Sequence, residues 1–285
     1  MEPSSEDEEP DASRYFIAFC IPLFFSNCTK APRPVLLAAP RKPVVPVVAK
    51  APVPKPPTPA AKKKRTVYLT FDDGPNRGTR KLMHIIKAEQ VPVTVFLVGE
   101  HACATEFQKA LLDSLRDCPY FELCNHSYTH AWKNHYEKFY QSPDSVVSDF
   151  ARCRDSLELT NEIVRTPGRN VWRTGEVRFT DLKKTTDAAD SVQKAGFTII
   201  GWDLEWHYDP TTLSLKNSAD AILDEIDSTF SRGRTRSADH LVLLAHDQVY
   251  DDPNDSTELH LFIRKIKERD FNLEVVSHYP GIKSP

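Results

Sequence analysis

From residue 66 onwards, short apolar segments alternate with amphipathic ones, and this alternation restricts the possible folds more than any other feature. Seven apolar segments have the length and composition of strands, at 67–71, 93–98, 120–124, 163–166, 197–202, 241–245 and 272–276. Helical periodicity occupies most of the intervening stretches, for example 77–89, 106–116, 144–159, 181–195, 218–231 and 256–269. Repeated strand–helix units join parallel strands. The sequence therefore predicts an α/β fold, a complete or incomplete barrel of about seven parallel strands.

Residues 1–30 have a different character. The first 13 are acidic and poor in apolar residues, a composition typical of disorder. An apolar run at 15–25 is too short to cross a bilayer but suits the apolar region of a signal peptide. Ser26-Asn27-Cys28 follows and loosely resembles a lipoprotein cleavage site, although Phe25 stands where leucine is usual. We therefore expect export to the periplasm or cell envelope, with a lipid anchor near Cys28 as a candidate membrane tether. A hydrophobic patch in a tail is the alternative.

Residues 31–65 predict a linker. Ten of the 22 prolines fall between Pro32 and Pro59. Proline fixes φ and lacks an N–H, so this stretch favours an extended, semi-rigid spacer over a helix or sheet interior. An envelope tether and an arbitrary disordered linker are both compatible with it. The folded domain is accordingly placed at 66–285, and the formal net charge of −3 argues against a nucleic-acid binder.

Polar side chains follow the predicted strands at their carboxyl ends, where parallel barrels carry their active sites. Asp72 and Asp73 end the first strand, and two adjacent carboxylates there need compensation, most often by a metal. His126 and His130 follow the third strand and would share a face if their loop forms one helical turn. Two histidines and one carboxylate form a familiar zinc set with an open position.

Three further strand ends carry titratable groups. Arg165-Thr166-Pro167-Gly168 follows the fourth strand, and Trp202-Asp203-Leu204-Glu205-Trp206 follows the fifth. Leu244-Ala245-His246-Asp247 ends the sixth strand. A single site of this kind is an ordinary turn or surface pattern, whereas five sites in barrel order are hard to attribute to chance.

These residues resemble the NodB-homology polysaccharide deacetylases, carbohydrate esterase family 4, over essentially all of 66–280. Thr70–Pro75 is similar to the first family motif, and His126–His130 to the second. Arg165-Thr166-Pro167 is similar to the core of the third, and Leu244-Ala245-His246 to the fifth. Two departures stand out: Gly168 replaces an aromatic residue, and Glu205-Trp206 replaces Asp-Trp in the fourth motif. The resemblance implies a distorted (β/α) barrel of about seven strands.

The resemblance also implies residue roles. Asp73, His126 and His130 would bind the metal, with Zn²⁺ expected first and Co²⁺ or another divalent ion as the alternative. Asp72 would be the base, Arg165 would orient it, and His246 would be the general acid. Either Glu205 or Asp203 would tune His246. The substrate pocket would be formed by Trp206, Leu244, Pro167 and Gly168, with a backbone N–H near Gly168 or Arg169 holding the oxyanion.

The function implied is metal-dependent removal of N-acetyl groups from an aminosugar polymer. Peptidoglycan is the first choice of substrate because of the lipoprotein-like start, and a chitin-like chain is the second. A carbohydrate-binding protein without activity is an alternative of another class, which would be expected to lack a metal ligand, the base or the acid. A relative that hydrolyses a small amide or another ester with the same metal site is also compatible with the sequence.

Four cysteines follow the signal-like region. If the helix after the second strand is continuous, Cys103 and Cys118 lie roughly 20 Å apart, too far for a disulfide. The predicted pairs are then Cys103–Cys124 and Cys118–Cys153, if bridges form in an exported domain. Four reduced cysteines are the alternative.

Overall fold

A computed structural model describes residues 64–283 of the chain. The signal-like segment, the candidate anchor near Cys28 and nearly all of the proline-rich linker lie outside the described residues, so the predictions about export and tethering stay predictions. Within the described range, none of the helices combines the length and apolar character that a membrane crossing needs.

The described residues form twelve strands and nine helical segments. The strands are β1 (Arg65–Asp72), β2 (Val93–Leu97), β3 (Phe121–Asn125), β4 (Ile163–Val164), β5 (Val171–Thr174), β6 (Val177–Thr180), β7 (Thr198–Ile199), β8 (Leu204–Glu205), β9 (Tyr208–Asp209), β10 (Ser214–Leu215), β11 (His240–His246) and β12 (Phe271–Glu274). The helical segments are α1 (Arg77–Glu89), α2 (Gly99–Ala104), α3 (Glu106–Arg116), α4 (His130–Asn134), α5 (Tyr136–Tyr140), α6 (Pro143–Ser156), α7 (Thr186–Lys194), α8 (Ala219–Ser231) and α9 (Pro253–Lys267). Short 3₁₀ turns lie at Lys183–Thr185, Asp247–Asp251 and Val276–His278.

The main sheet has the order β6-β5-β7-β4-β3-β2-β1-β11-β8, and β12 also pairs with β1. The contacts of β1 with β2, β11 and β12 are all parallel, as are those that link β3, β4, β7 and β8 to the sheet. Within residues 64–283 the order ends at β6 and β8, so the sheet curls without closing. The predicted α/β fold, an incomplete barrel of parallel strands, is confirmed.

The two faces of β1 pack into different apolar clusters. Val67, Leu69 and Phe71 belong to the large cluster that the sheet shares with flanking helices. Tyr68 lies on the opposite face, among the side chains that fill the curl of the sheet. Successive strand residues point to opposite faces, so Asp72 shares the inner face with Tyr68. The alternation therefore aims the last residue of β1 into the barrel interior.

Two parts of the sheet differ from the prediction. The chain after Arg165 adds an antiparallel hairpin, β5–β6, which pairs with β7. The single strand predicted at 197–202 is divided into β7 and β8, which lie at different positions in the sheet. Short strands carry too few residues to show a period, and their pairing is decided by tertiary contacts.

All four cysteines in the described residues are free thiols, so neither predicted disulfide is formed. The continuous helix assumed between Cys103 and Cys118 is also wrong, because Thr105 ends α2 and caps the start of α3. Cys124 and Cys153 are buried, and burial raises the pKa of both thiols. They are apolar packing residues in this structure.

Candidate metal centre and active site

The end of β1 separates the two adjacent aspartates. Asp72 is 2% exposed and continues the strand, in register with His246 of β11. Asp73 has a φ of 78°, in the left-handed region, so the chain turns sharply between the two residues. As a result the two carboxylates can serve different partners although they are neighbours in sequence.

The two histidines of the second motif meet by a route that differs from the expected helical turn. Ser127 has a φ of 66°, and His130 to Asn134 all have φ between 48° and 70°. Segment α4 is therefore a left-handed turn. Its start brings the imidazole of His130 against that of His126, with ring centroids 5.1 Å apart.

Asp73, His126 and His130 converge on one point. One candidate ligand atom from each lies within 4.8 Å of the others. The Asp73 Oδ1 atom lies 3.5 Å from His126 Nε2 and 3.1 Å from His130 Nε2, yet this buried oxygen has no aligned hydrogen-bond donor. On the far side of each ring, Nδ1 faces an acceptor: the Arg165 carbonyl at 3.0 Å and Asn134 Oδ1 at 2.5 Å.

This arrangement fits a divalent metal. An Nδ1–H that donates to an oxygen leaves the Nε2 lone pair free, and this pattern is usual for metal-binding histidines. Two such lone pairs facing a buried carboxylate oxygen would repel one another unless a cation lay between them. A set of two imidazoles and one carboxylate with an open position is typical of catalytic zinc.

Asp73 and His130 shift each other's pKa. Burial opposes ionisation of Asp73, but His126, His130 and His246 outweigh it and hold the pKa of Asp73 well below its usual value. Burial alone would lower the pKa of His130, but the nearby Asp73 carboxylate and Asn134 raise it. Asp73 is thus ionised and ready to act as a ligand.

Asp72 is held by a fully buried arginine. Arg165 Nη1 donates to Asp72 Oδ1 at 2.9 Å and to Thr70 Oγ1 at 2.7 Å. Its other donors bond to the carbonyls of Ile200 and Gly201, and its guanidinium lies 4.1 Å above the Phe96 ring. The second oxygen of Asp72, Oδ2, lies 3.6 Å from His126 Nε2. Asp72 is therefore fixed beside the candidate metal position.

His246 lies at the end of β11, next to β1. Its ring packs against Tyr208 with centroids 5.0 Å apart, and its Nδ1 atom is buried without a hydrogen-bond partner. An unpaired buried imidazole nitrogen is costly.

Of the two acids left open by the fourth motif, Asp203 is occupied elsewhere. Its carboxylate accepts the backbone N–H groups of Arg236 and Val242 at 2.7 and 2.8 Å. Val242 precedes His246 by four strand residues, about 13 Å. Burial raises the pKa of Asp203 to about 6. The geometry therefore gives Asp203 a structural task and favours Glu205 as the neighbour of His246.

Glu205 pairs with Leu244 in the parallel register, and Oε1 lies 3.3 Å from Nδ1 of the exposed His207. Alternate residues share a face, so Leu244 and His246 of β11 point to the same side. Leu244 is buried with its neighbour Thr70 beneath the site. Leu244 therefore points to the same side of the sheet as His246, and its place in a substrate pocket stays a prediction.

Trp206 does not line the site, and this part of the sequence prediction is wrong. Trp206 is 1% exposed and packs on Tyr250 and Phe262, while its Nε1 donates to the Asn217 carbonyl. It follows Glu205 directly, so it points to the opposite face, among the residues between sheet and helices.

The third-motif loop lies beside the histidines. Pro167 is buried, and its carbonyl accepts the hydroxyl proton of Tyr140 at 2.7 Å. Gly168 is exposed with a φ of 61°, and a Cβ there would lie 2.7 Å from the Tyr136 ring. A cleft of about 470 Å³ opens in front of the site. Tyr136 and Tyr208 line it together with two of the three candidate metal ligands, Asp73 and His130.

Sequence reasoning gave no role to Asp247, but in the structure this residue connects the loop after β1 to the end of β11 by hydrogen bonds. Asp247 is fully buried and accepts hydrogen bonds from Asn76 Nδ2 at 2.6 Å and Thr79 Oγ1 at 2.5 Å. Its backbone lies so close to Gly78 that a Cβ there would clash. It thus fastens the Asp73 loop to the strand that carries His246. Its place directly after the fifth motif was the available signal.

Comparison with known proteins adds to this geometry. Residues 60–200 match the family model described as polysaccharide deacetylase. A Bacillus subtilis protein named as polysaccharide deacetylase YheN is 27% identical, over 74% of this chain and 67% of the relative. The peptidoglycan-N-acetylglucosamine deacetylase of Bacillus cereus is 25% identical, over 77% of this chain and 73% of the relative.

Among solved structures, the family 4 carbohydrate esterase of Streptomyces lividans, in complex with acetate, has a TM-score of 0.55 and 21% identity. The match covers 78% of this chain and 98% of that one, which shows a common fold. The family match and the curated relatives identify a polysaccharide deacetylase domain in this chain, and the solved structure shares its fold.

Proposed function

We propose that this domain is a metal-dependent N-deacetylase that acts on an aminosugar polymer, with peptidoglycan as the first candidate. The observation that carries the proposal is the convergence of Asp73, His126 and His130 within 4.8 Å, directly beside the Asp72–Arg165 pair. A divalent cation such as Zn²⁺, when bound by these three residues, would polarise the acetyl carbonyl and acidify the attacking water.

Asp72 would take the proton from that water. Its two oxygens have different surroundings, because Oδ1 is held by Arg165 and Oδ2 lies toward His126. A base must be within hydrogen-bond reach of the proton it removes. Arg165 is itself held by Thr70 and by the carbonyls of Ile200 and Gly201, so it fixes the orientation of the Asp72 carboxylate.

The oxyanion that forms at the acetyl carbon would be stabilised by a backbone N–H of the third-motif loop. The Arg169 N–H is already directed to the Thr166 carbonyl at 3.4 Å, which favours the N–H of Gly168. Leu244 would lie against the acetyl methyl group from below.

His246 would then protonate the departing amine as general acid. We assign the transfer to Nε2, because Nδ1 is the nitrogen that is buried in the protein. Glu205 contacts His207 in this structure, and a change of rotamer toward Nδ1 would give that nitrogen a hydrogen-bond partner and orient the ring.

A non-catalytic carbohydrate-binding protein would need only the cleft. Here the three metal-set residues, the base, its arginine and the acid are all present at the ends of neighbouring strands, which favours catalysis. The Bacillus cereus relative is named for its action on peptidoglycan, which supports this polymer as substrate, and a chitin-like chain stays the second candidate.

The test is a side-by-side assay of the purified protein on peptidoglycan and on chitooligosaccharides, with mass spectrometry of the products and quantification of acetate. We expect acetate release from peptidoglycan, lost in Asp73→Ala. Release from chitooligosaccharides alone would reverse the order of substrates. Carbohydrate binding without release from either polymer would indicate a binding protein.

A further inference from the structure

The ring of His130 is held by two residues outside the metal set. His130 Nδ1 lies 2.5 Å from Oδ1 of Asn134, which follows four residues later in the left-handed segment α4. The Tyr136 hydroxyl donates to the same Oδ1 atom at 3.0 Å. An amide oxygen has two lone pairs and can accept both hydrogen bonds.

The Tyr136 ring also touches the imidazole directly. It meets His130 in a T-shaped contact, with centroids 6.0 Å apart. On its other side, the ring occupies the space that a side chain at position 168 would fill, because a Cβ on Gly168 would lie 2.7 Å from Tyr136 Cε1. The Tyr136 ring can therefore keep this position only because residue 168 has no side chain.

The direction of the Asn134 hydrogen bond decides what His130 can bind. If Oδ1 accepts from Nδ1–H, the Nε2 lone pair faces Asp73, 3.1 Å away. If the amide were reversed, its NH₂ group would donate to Nδ1, and the proton would sit on Nε2 and block the metal position. Metal binding through Nε2 requires the first arrangement, in which Oδ1 also accepts the hydroxyl proton of Tyr136.

We propose that Asn134 and Tyr136 are positioning residues that fix the tautomer and the ring orientation of His130 for metal binding, and that Gly168 leaves the space which Tyr136 needs. The inference rests on the proposed metal-dependent function and adds to it two residues from α4 and α5. The left-handed turn serves this purpose, because it returns the side chain of Asn134 to the ring of His130. Asparagine is one of the few residues that adopts such a conformation readily.

Metal affinity measures the proposal directly. Zn²⁺ dissociation constants would be determined by competition with a chromophoric chelator, on the full chain, for the wild type and for Asn134→Ala. Outer partners of ligating histidines typically contribute about 10- to 100-fold in metal affinity, and we expect a loss of that size. Glu137→Gln is the matched control: it lies beside Tyr136 but pairs with Lys184 on the exposed side, and its affinity should equal that of the wild type.

The outcomes separate this inference from the proposed function. Tight binding by the wild type with equal affinity in Asn134→Ala would overturn the inference and leave the metal site standing. A wild type that binds no Zn²⁺ would overturn both. Because Asn134 is exposed, the variant should fold normally, which circular dichroism would verify.

Proton exchange gives a second readout that a merely structural role would not change. In the Zn²⁺-loaded wild type, ¹⁵N NMR should show a proton on His130 Nδ1 that its hydrogen bond to Asn134 protects from exchange with solvent. In Asn134→Ala this proton should exchange faster. Equal exchange rates in the two proteins would refute the assigned hydrogen bond.

The pairing of positions 136 and 168 can be tested by a double-mutant cycle on Zn²⁺ affinity. Gly168→Ala should weaken binding in the wild type, because the new methyl group displaces the Tyr136 ring. The same change should have a smaller effect in Tyr136→Ala. The backbone cost of alanine at a positive φ is common to both backgrounds and cancels. Equal effects in the two backgrounds would show that the ring and the glycine are independent.

Discussion

Asp247 should make the stability of the metal-free domain fall as the pH rises. Burial, and to a smaller degree Asp73 and Asp72, raise its pKa from the ordinary 3.8 to about 7, although Thr79 and Asn76 donate hydrogen bonds that oppose the change. Between these two values the folded state binds a proton that the unfolded state has lost. The free energy of unfolding therefore decreases across this interval.

The size of the effect follows from the two pKa values. About 3 pKa units at about 1.4 kcal/mol each give a loss on the order of 4 kcal/mol between pH 4 and pH 7. The variant Asp247→Asn cannot ionise but keeps the shape of the side chain. Its amide oxygen can accept from Asn76, and its NH₂ group can donate to the Thr79 hydroxyl. We therefore expect it to lack this part of the pH dependence.

The assay is urea unfolding of the chelator-treated wild type and variant at several pH values from 4 to 8. Other carboxylates affect both proteins alike, so the difference between the two curves isolates Asp247. Asp113→Asn, an exposed change of the same kind, is the control and should follow the wild type. If Asp247→Asn keeps the slope of the wild type, the buried carboxylate is not the group that titrates and the reasoning is refuted.

Three further outcomes test the site. Chelation should abolish deacetylation, and Zn²⁺ or Co²⁺ should restore it, whereas full activity of a metal-free sample by elemental analysis would contradict metal dependence. Asp72→Asn and His246→Ala should each lose about 100-fold or more in kcat with metal content retained, and loss of metal from Asp72→Asn would mean that the two aspartates have exchanged roles. Glu205→Gln should alter the pH–rate profile of the acid more than Asp203→Asn, which should instead lower thermal stability. Similar pH–rate profiles for both would show that another group orients His246.

The sequence was sufficient for the positions that follow from a repeating pattern. Strand ends, the metal-set residues and the Asp72–Arg165 pair all lie where parallel β/α units place them. The prediction that Trp206 lines the pocket was wrong, although the alternation of faces along an extended chain could have shown this. Trp206 directly follows Glu205, the last residue of β8, and neighbouring residues of an extended chain point to opposite faces. The resemblance placed Trp206 in the pocket, whereas Trp206 packs between the sheet and the helices.

Partners that are distant in sequence could not be predicted in the same way. Asp247 contacts Asn76 and Thr79 about 170 positions away, and nothing local marks the pairing. The same holds for Tyr136 and Gly168, which meet only because α5 returns over the third-motif loop. Hydrogen bonds between loops depend on the register of the whole sheet, which no short window of sequence contains.

The loops of the site share a physical problem that explains why such partners exist. Each contains backbone in the left-handed region: Asp73 in the first, Ser127 in the second and Gly168 in the third. For a residue other than glycine this costs roughly 1–2 kcal/mol, and such strain persists only when the surroundings enforce it. Each loop accordingly has a buried side chain from another element that holds it in place.

We call these buried side chains fastening residues, and each of them holds one loop. Asp247 holds the first loop through Asn76 and Thr79. Asp149 of α6 holds the second by accepting the backbone N–H groups of Tyr128 and Thr129, and Tyr140 donates to the third at the Pro167 carbonyl. The three candidate metal ligands therefore lie on loops, and side chains from other elements hold those loops at fixed distances from one another. Substituting a fastening residue should change metal affinity and catalysis together, because it moves an intact loop as a unit.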